Sequence, residues 1–203
     1  IVLPGGGYTF LSDREADPPA TAFFAKGYQV FILRYSICGA ASDLRPLADA
    51  ALTVRQIRAN RAEWNVFPDK IAVCGFSAGG HLAASLGTLW DSPELSAKTS
   101  FSDIPSRPDA LILGYPVVTA GKYAHEGSIR ALSGGEPTRR QRDFYSLEHH
   151  VSPSTPPAFL WHTQEDADVP VENTLLFAAA LRRSGVPFEC HIFRKGSHGL
   201  SMC

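Results

Sequence analysis

The chain has 203 residues, 44% hydrophobic and 19% charged, with a formal net charge of −1 at pH 7. That length suits one α/β domain burying roughly 70% of its unfolded surface. A charge so near zero excludes general electrostatic attraction to nucleic acid or an anionic membrane, and no apolar run reaches the roughly 20 residues of a membrane helix.

Residues 1–3 read as a strand that opens into Pro4-Gly5-Gly6-Gly7-Tyr8, a glycine loop whose backbone N–H groups are open to a ligand. Pro18-Pro19 suits the start of a helix running to about residue 26, with Gly27 as its stop. Residues 28–35 are β-branched and aromatic and predict a buried strand. Leu47, Ala51, Val54 and Ile57 recur at helical spacing within 44–60. A turn at 65–69 leads to a short apolar strand over 70–74, and small residues after position 81 predict a helix. Residues 91–108 form a polar loop with three prolines, followed by a strand over 110–115.

Residues 116–157 lack clean periodicity, with helix-like pieces near 129–132 and 139–144. They read as an excursion from the sheet that lines or covers a site. A strand over 158–162, a helix over 170–183 stopped by Gly185, and a strand over 188–193 complete the chain. Strands alternating with helices predict a mostly parallel sheet with helices on both faces, and one domain over 1–203. Cys38, Cys74, Cys190 and Cys203 show no paired spacing and read as free thiols in a reducing compartment. A cytoplasmic location is therefore expected, with secretion left open.

The chemistry centres on Gly75-Phe76-Ser77-Ala78-Gly79-Gly80-His81, a Gly-x-Ser-x-Gly pattern between a strand and a helix. Such a nucleophile elbow needs glycine where the sharp turn would drive a side chain into the neighbouring backbone. A serine hydroxyl is a weak nucleophile without a base and a carboxylate that orients the base. In an open parallel sheet these groups belong on loops at the carboxyl ends of strands. Two loops qualify: one carries Glu165, Asp166 and Asp168, and the other carries His198 in Lys195-Gly196-Ser197-His198-Gly199. The order Ser, Asp, His is that of this class of fold. An oxyanion hole needs two N–H donors, here expected from Ala78 and from the loop at Gly6 and Gly7.

These motifs resemble those of α/β-hydrolase esterases related to hormone-sensitive lipase. The nearest likeness is to the small bacterial acetyl esterase and acetyl xylan esterase (BD-FAE-like) branch. The likeness rests on Pro4 to Tyr8, Gly75 to His81, Asp166-x-x-Val169-Pro170 and Gly196 to Gly199, which span nearly the whole chain. The larger family usually has a histidine where Pro4 stands. Among the acidic residues, the resemblance selects Asp166 over Asp168. It also implies about two strands before Ile1 and a final helix after Cys203.

What it implies for function is hydrolysis of short acyl esters, acetate above all, from a small-molecule or oligosaccharide alcohol such as xylan. Neither metal nor organic cofactor is expected, nor a nucleic-acid or membrane partner, and oligomeric state is left open. A prolyl-oligopeptidase-type serine peptidase, an arylformamidase and a non-catalytic hydrolase-like binding protein are the alternatives. Elsewhere the simpler readings prevail. His81 and His162 are expected to be packed and hydrogen-bonded, Glu148-His149-His150 a solvated loop, and Arg139, Arg140 and Arg142 wet surface. Tyr8, Phe10, Trp90, Tyr115 and Tyr123 are expected near the pocket, each more as packing than as specificity.

Overall fold

A computed structural model describes residues 1–100 and 102–202. Five parallel strands lie side by side in chain order: β1 (Val2–Leu3), β2 (Ala72–Phe76), β3 (Ala110–Gly114), β4 (Ala158–Thr163) and β5 (Phe188–Phe193). Register pairs Phe76 with Gly114 and Gly114 with Trp161, so the carboxyl ends of β2, β3 and β4 lie level. Loops leaving those ends meet there.

Right-handed crossovers that always step in one direction place their helices on a single face. That face carries α2 (Arg45–Ala59), α3 (Ala78–Leu89) and α7 (Glu172–Arg183). Leu3, Val73, Leu111, Leu113 and Leu160 point into it from the strands and meet Val54, Leu82, Leu86, Phe177 and Leu181 in the main core. Alternate residues Val2, Cys74, Phe76 and Ile112 point the other way, onto Ala20 and Phe23 of α1 (Asp17–Phe24) and onto Leu200. This second layer is thinner, and Phe159, Ile192 and Phe193 at the β4–β5 edge stay partly exposed.

Residues 28–35 do not form the buried strand their composition predicts. They touch the sheet through one bridge, Val2 to Ile32, held by Val2 N–H to Phe31 O at 2.8 Å and Leu33 N–H to Val2 O at 3.0 Å. Beyond that bridge no further ladder forms among the described residues, and Tyr28 and Ile32 remain exposed. The loop over 91–108 contains a single-turn helix, α4 (Pro93–Ser96), whose Leu95 N–H is capped by Ser92 Oγ. The excursion holds α5 (Glu126–Ser133) and α6 (Arg139–Tyr145), the latter closed by a Thr138/Gln141 capping box. Glu148 belongs to a 3₁₀ turn that tucks its side chain in rather than to a solvated loop. Arg142 is not free surface, because it pairs with Glu126 at 2.9 Å. Cys38, Cys74 and Cys190 are free thiols, while Cys203 lies outside the described residues.

Candidate active site

Ser77 sits between β2 and α3 with φ 53° and ψ −120°, a conformation an L-residue holds only when its surroundings force it. Its N–H donates to Gly114 O at 3.0 Å, and its carbonyl accepts from His81 and Val117 N–H, each at 3.1 Å. The turn is tight enough to require its glycines. A Cβ at Gly75 would stand 2.1 Å from Gly79 O, and one at Gly79 would stand 2.1 Å from Leu3 O. No side chain fits either gap. The helix that follows is buried along its whole length, so Ser77 rests on a rigid base at a helix N-terminus.

The loops after β4 and β5 bring their groups to this point. His198 Nε2 lies 2.8 Å from Ser77 Oγ, and His198 Nδ1 lies 2.7 Å from Asp166 Oδ2. A carboxylate only accepts, so Nδ1 carries the proton and Nε2 is free to take the one on Ser77. Asp166 is buried, and its Oδ1 accepts Asp168 N–H at 3.0 Å and Val169 N–H at 2.9 Å. Burial alone would raise its pKa. Hydrogen bonds from His162, His198 and Val169 outweigh burial and hold the carboxyl well below the usual carboxylate range. Of the three acidic candidates, Asp166 meets the histidine, whereas Glu165 and Asp168 are exposed.

The loop after β1 is fixed through its carbonyls and the Gly5 N–H. Pro4 O accepts from Tyr35 Oη at 2.6 Å, and Gly5 N–H donates to Glu15 Oε2 at 2.8 Å. Gly5 O accepts Ser12 N–H at 3.0 Å, and Gly6 O accepts Thr9 and Phe10 N–H at 3.0 and 3.1 Å. The N–H groups of Gly6, Gly7 and Ala78 have no acceptor among the described residues. Gly6 (φ +126°) and Gly7 (φ +63°) take angles that other residues avoid, and a Cβ at Gly6 would stand 2.1 Å from Phe10 O. Proline at position 4 costs the loop nothing here, since only its carbonyl is used.

Gly6, Gly7, Ser77 and His198 line a cleft of about 340 Å³ that is rimmed by Thr9, Phe10, Arg14, His125 and Asp168. His125 caps α5, and its Nδ1 accepts Ser128 N–H at 3.3 Å, which leaves the ring proton on Nε2. Burial first, and then the neighbouring His198, lower its pKa. A separate cavity of about 200 Å³, lined by Ile1, Phe23 and Ile71 among others, contains neither Ser77 nor His198.

Several of these residues escape sequence reasoning. His162 is buried and touches Asp166 Oδ2 at 3.3 Å while its Nε2 donates to Val169 O at 2.9 Å, so its packing role includes the acid. His125 and Glu15 follow no motif. Tyr115 is buried with its ring centroid 5.0 Å from that of His198, edge to face. Of the other aromatics, Phe10 borders the cleft, Tyr8 is buried beside His81, and neither Trp90 nor Tyr123 lines it.

A model of the BD-FAE family matches residues 1–181. The chain belongs to the BD-FAE family. It is 43% identical to the crystal structure of an acetyl ester-xyloside bifunctional hydrolase from Caldicellulosiruptor lactoaceticus, with a TM-score of 0.91 over 99% of this chain and 74% of that one. Endo-1,4-beta-xylanase B of Butyrivibrio fibrisolvens is 40% identical over 205 residues, covering 100% of this chain and 32% of its own length. An acetylxylan esterase of Xylanibacter ruminicola is 30% identical over 205 residues, covering 98% of this chain and 40% of its own. The chain thus spans less than half the length of these curated relatives. Its fold is that of the α/β-hydrolases: the sheet is parallel, and MGS-M1, an α/β-hydrolase enzyme from a deep-sea metagenome library, is 38% identical with a TM-score of 0.76 over 98% of this chain and 69% of that one.

Proposed function

We propose that this BD-FAE chain is a serine carboxylester hydrolase that removes short acyl groups, acetate above all, from a sugar or xylan-type alcohol. The observation that carries the reading is the relay from Ser77 Oγ through His198 to Asp166, at 2.8 and 2.7 Å, opening on a cleft. Ser77 Oγ attacks the ester carbonyl while His198 Nε2 takes its proton. Asp166 holds the imidazole and balances the imidazolium charge. Negative charge on the carbonyl oxygen is met by N–H groups of Ala78 and of Gly6 and Gly7. His198 then returns the proton to the leaving alcohol. In the second half it activates water, which releases the acid and restores Ser77. Thr9, Arg14, His125 and Asp168 stand beside Phe10 on the rim and offer hydroxylated alcohols polar partners. Names of relatives that include acetylxylan esterase and acetyl ester-xyloside hydrolase point the same way.

The test is a set of initial rates on acetyl, butyryl and octanoyl esters and on acetylated xylan, with Ser77→Ala beside the wild type. Crowding in a narrow acyl site costs roughly 1–3 kcal/mol per methylene that finds no room. Acetyl esters should therefore outrun butyryl, with octanoyl nearly inert and Ser77→Ala down by at least about 10³-fold. Octanoyl cleaved faster than acetyl would overturn the acyl assignment, and an active Ser77→Ala would overturn the mechanism.

A further inference from the structure

Asp166 and Glu15 are buried acidic residues with both carboxylate oxygens hydrogen-bonded, and of the two only Asp166 has a part in the relay. Taking a carboxylate out of water is unfavourable unless its oxygens are well bonded. Those of Glu15 are: Oε2 accepts Gly5 N–H at 2.8 Å and Oε1 accepts the Tyr115 hydroxyl at 2.7 Å. Each bond leads to a different half of the site.

The first leads to the glycine loop. The peptide between Pro4 and Gly5 is held at both ends, its carbonyl by Tyr35 and its N–H by Glu15. With that plane set, and with Gly5 O and Gly6 O bonded to Ser12, Thr9 and Phe10, the next two amides keep their N–H groups unpaired. The approach is close. A Cβ at Gly5 would stand 2.5 Å from Glu15 Oε2 and 2.9 Å from Ser77 Cβ.

The second leads to the base. Tyr115 follows β3 with φ +35°, in the left-handed region that an aromatic residue rarely enters. Its N–H donates to Trp161 O at 2.7 Å, and its ring lies edge to face with Trp161 at 4.9 Å and with His198 at 5.0 Å. Burial first, then the charge of Glu15, push its phenol pKa up, so the hydroxyl stays a donor. Its oxygen also accepts Ser201 N–H at 2.8 Å, while Ser201 Oγ donates to Arg14 O at 2.6 Å and the Arg14 guanidinium donates to Gly199 O. The segment that carries His198 is thereby tied to the turn that carries Glu15.

We infer that Glu15 is a positioning residue for the reaction: through Gly5 it aims the amides of Gly6 and Gly7, and through Tyr115 it sets the imidazole of His198. A carboxylate suits this task because it only accepts. It fixes the sense of both hydrogen bonds, whereas an amide at the same place presents a donor to one of two donors. The inference rests on the ester-hydrolase reading and deepens it.

The experiment compares Glu15→Gln, Tyr115→Phe and the double variant with wild type on an acetyl ester. Affinity for a boronic acid, which forms a tetrahedral adduct on serine, is measured alongside. Displacing donors from the oxyanion should lower kcat by about 10- to 100-fold in Glu15→Gln, with KM changed less than about threefold. Boronate affinity should fall by a similar factor. Tyr115→Phe should lower kcat in the same direction, and the double variant should be no worse than the worse single, as for two groups acting through one contact.

A folded Glu15→Gln protein with kcat and boronate affinity within about threefold of wild type would overturn the inference. So would additive losses in the double variant. If Glu15→Gln does not fold, Tyr115→Phe decides: wild-type kcat in that variant would leave Glu15 a purely structural carboxylate. Wild-type hydrolysis that survives Ser77→Ala would instead strike the underlying ester-hydrolase reading. The two failures are thus distinct.

Discussion

Asp166 shows how a single residue sets the direction of proton traffic. Its carboxyl is kept ionised against burial by His162, His198 and Val169, and an ionised carboxylate gives His198 no choice of tautomer. Asparagine at 166 would still accept Val169 N–H through its oxygen. Its amide N–H would then face His198 Nδ1, the ring proton would move to Nε2, and no lone pair would be left for Ser77. Asp166→Asn should therefore lower kcat by roughly 10³- to 10⁴-fold in a folded protein. Asp168 is exposed, touches the relay only through its backbone N–H, and asparagine would keep a polar group at its place on the cleft rim, so Asp168→Asn should stay within about threefold of wild type. Steady-state kinetics beside a melting curve check both, and the reverse ranking would move the acid to position 168. Because its pKa is depressed in the fold, Asp166 contributes stability above the unfolded carboxylate value of about 4, and that stability is lost as pH falls below it.

At the scale of elements, the elbow works because α3 approaches β1 and β2 more closely than side chains allow. Gly79→Ala places a Cβ 2.1 Å from Leu3 O, with backbone on the other side and nothing flexible to yield. It should destabilise the chain by about 2 kcal/mol or more and reduce soluble yield. Gly39→Ala, where nothing lies within 4 Å, should stay within about 0.5 kcal/mol. Urea denaturation of the two variants tests the contrast, and equal losses would mean that packing at the elbow is not what demands glycine. Features of this local kind were legible in the sequence: the glycines around Ser77, the loop at Gly6 and Gly7, the helix from 44 to 60, the order of Ser77, Asp166 and His198. What was not legible depends on partners distant along the chain. Glu15 meets Tyr115 across 100 residues, and no spacing announces it. Residues 28–35 have the composition of a strand, but composition does not say which neighbour would pair with them, and among the described residues they meet the sheet at one bridge, Val2 to Ile32.

Across the whole molecule, His81 joins three parts that the chain order keeps apart. From the buried helix α3, its Nδ1 accepts the hydroxyl of Tyr8 at 3.0 Å, next to the glycine loop, and its Nε2 donates to Tyr145 O at 3.1 Å, in the excursion. The first bond requires the neutral ring, and the two together put its proton on Nε2. Burial lowers its pKa from 6.5 to about 4, and the carbonyl of Tyr145 offsets only part of that. In the unfolded chain the ring binds a proton near pH 6.5, whereas the folded chain refuses it until about pH 4. The unfolded state therefore holds more protons between those values, and stability is full above the unfolded pKa and drains as pH falls toward the folded one. The loss across the interval should be about 3 kcal/mol. Urea unfolding at pH 7.5, 5.5 and 4.5 should show that decline in wild type. In His81→Gln, which starts less stable, it should be much shallower. An equal decline in both would assign the pH dependence to other groups, and a flat wild-type profile would mean that His81 titrates alike in both states. Below about pH 4, where the folded ring takes a second proton, Tyr8 loses its acceptor while Nε2–H still donates to Tyr145 O, so the strain falls on the side of the glycine loop.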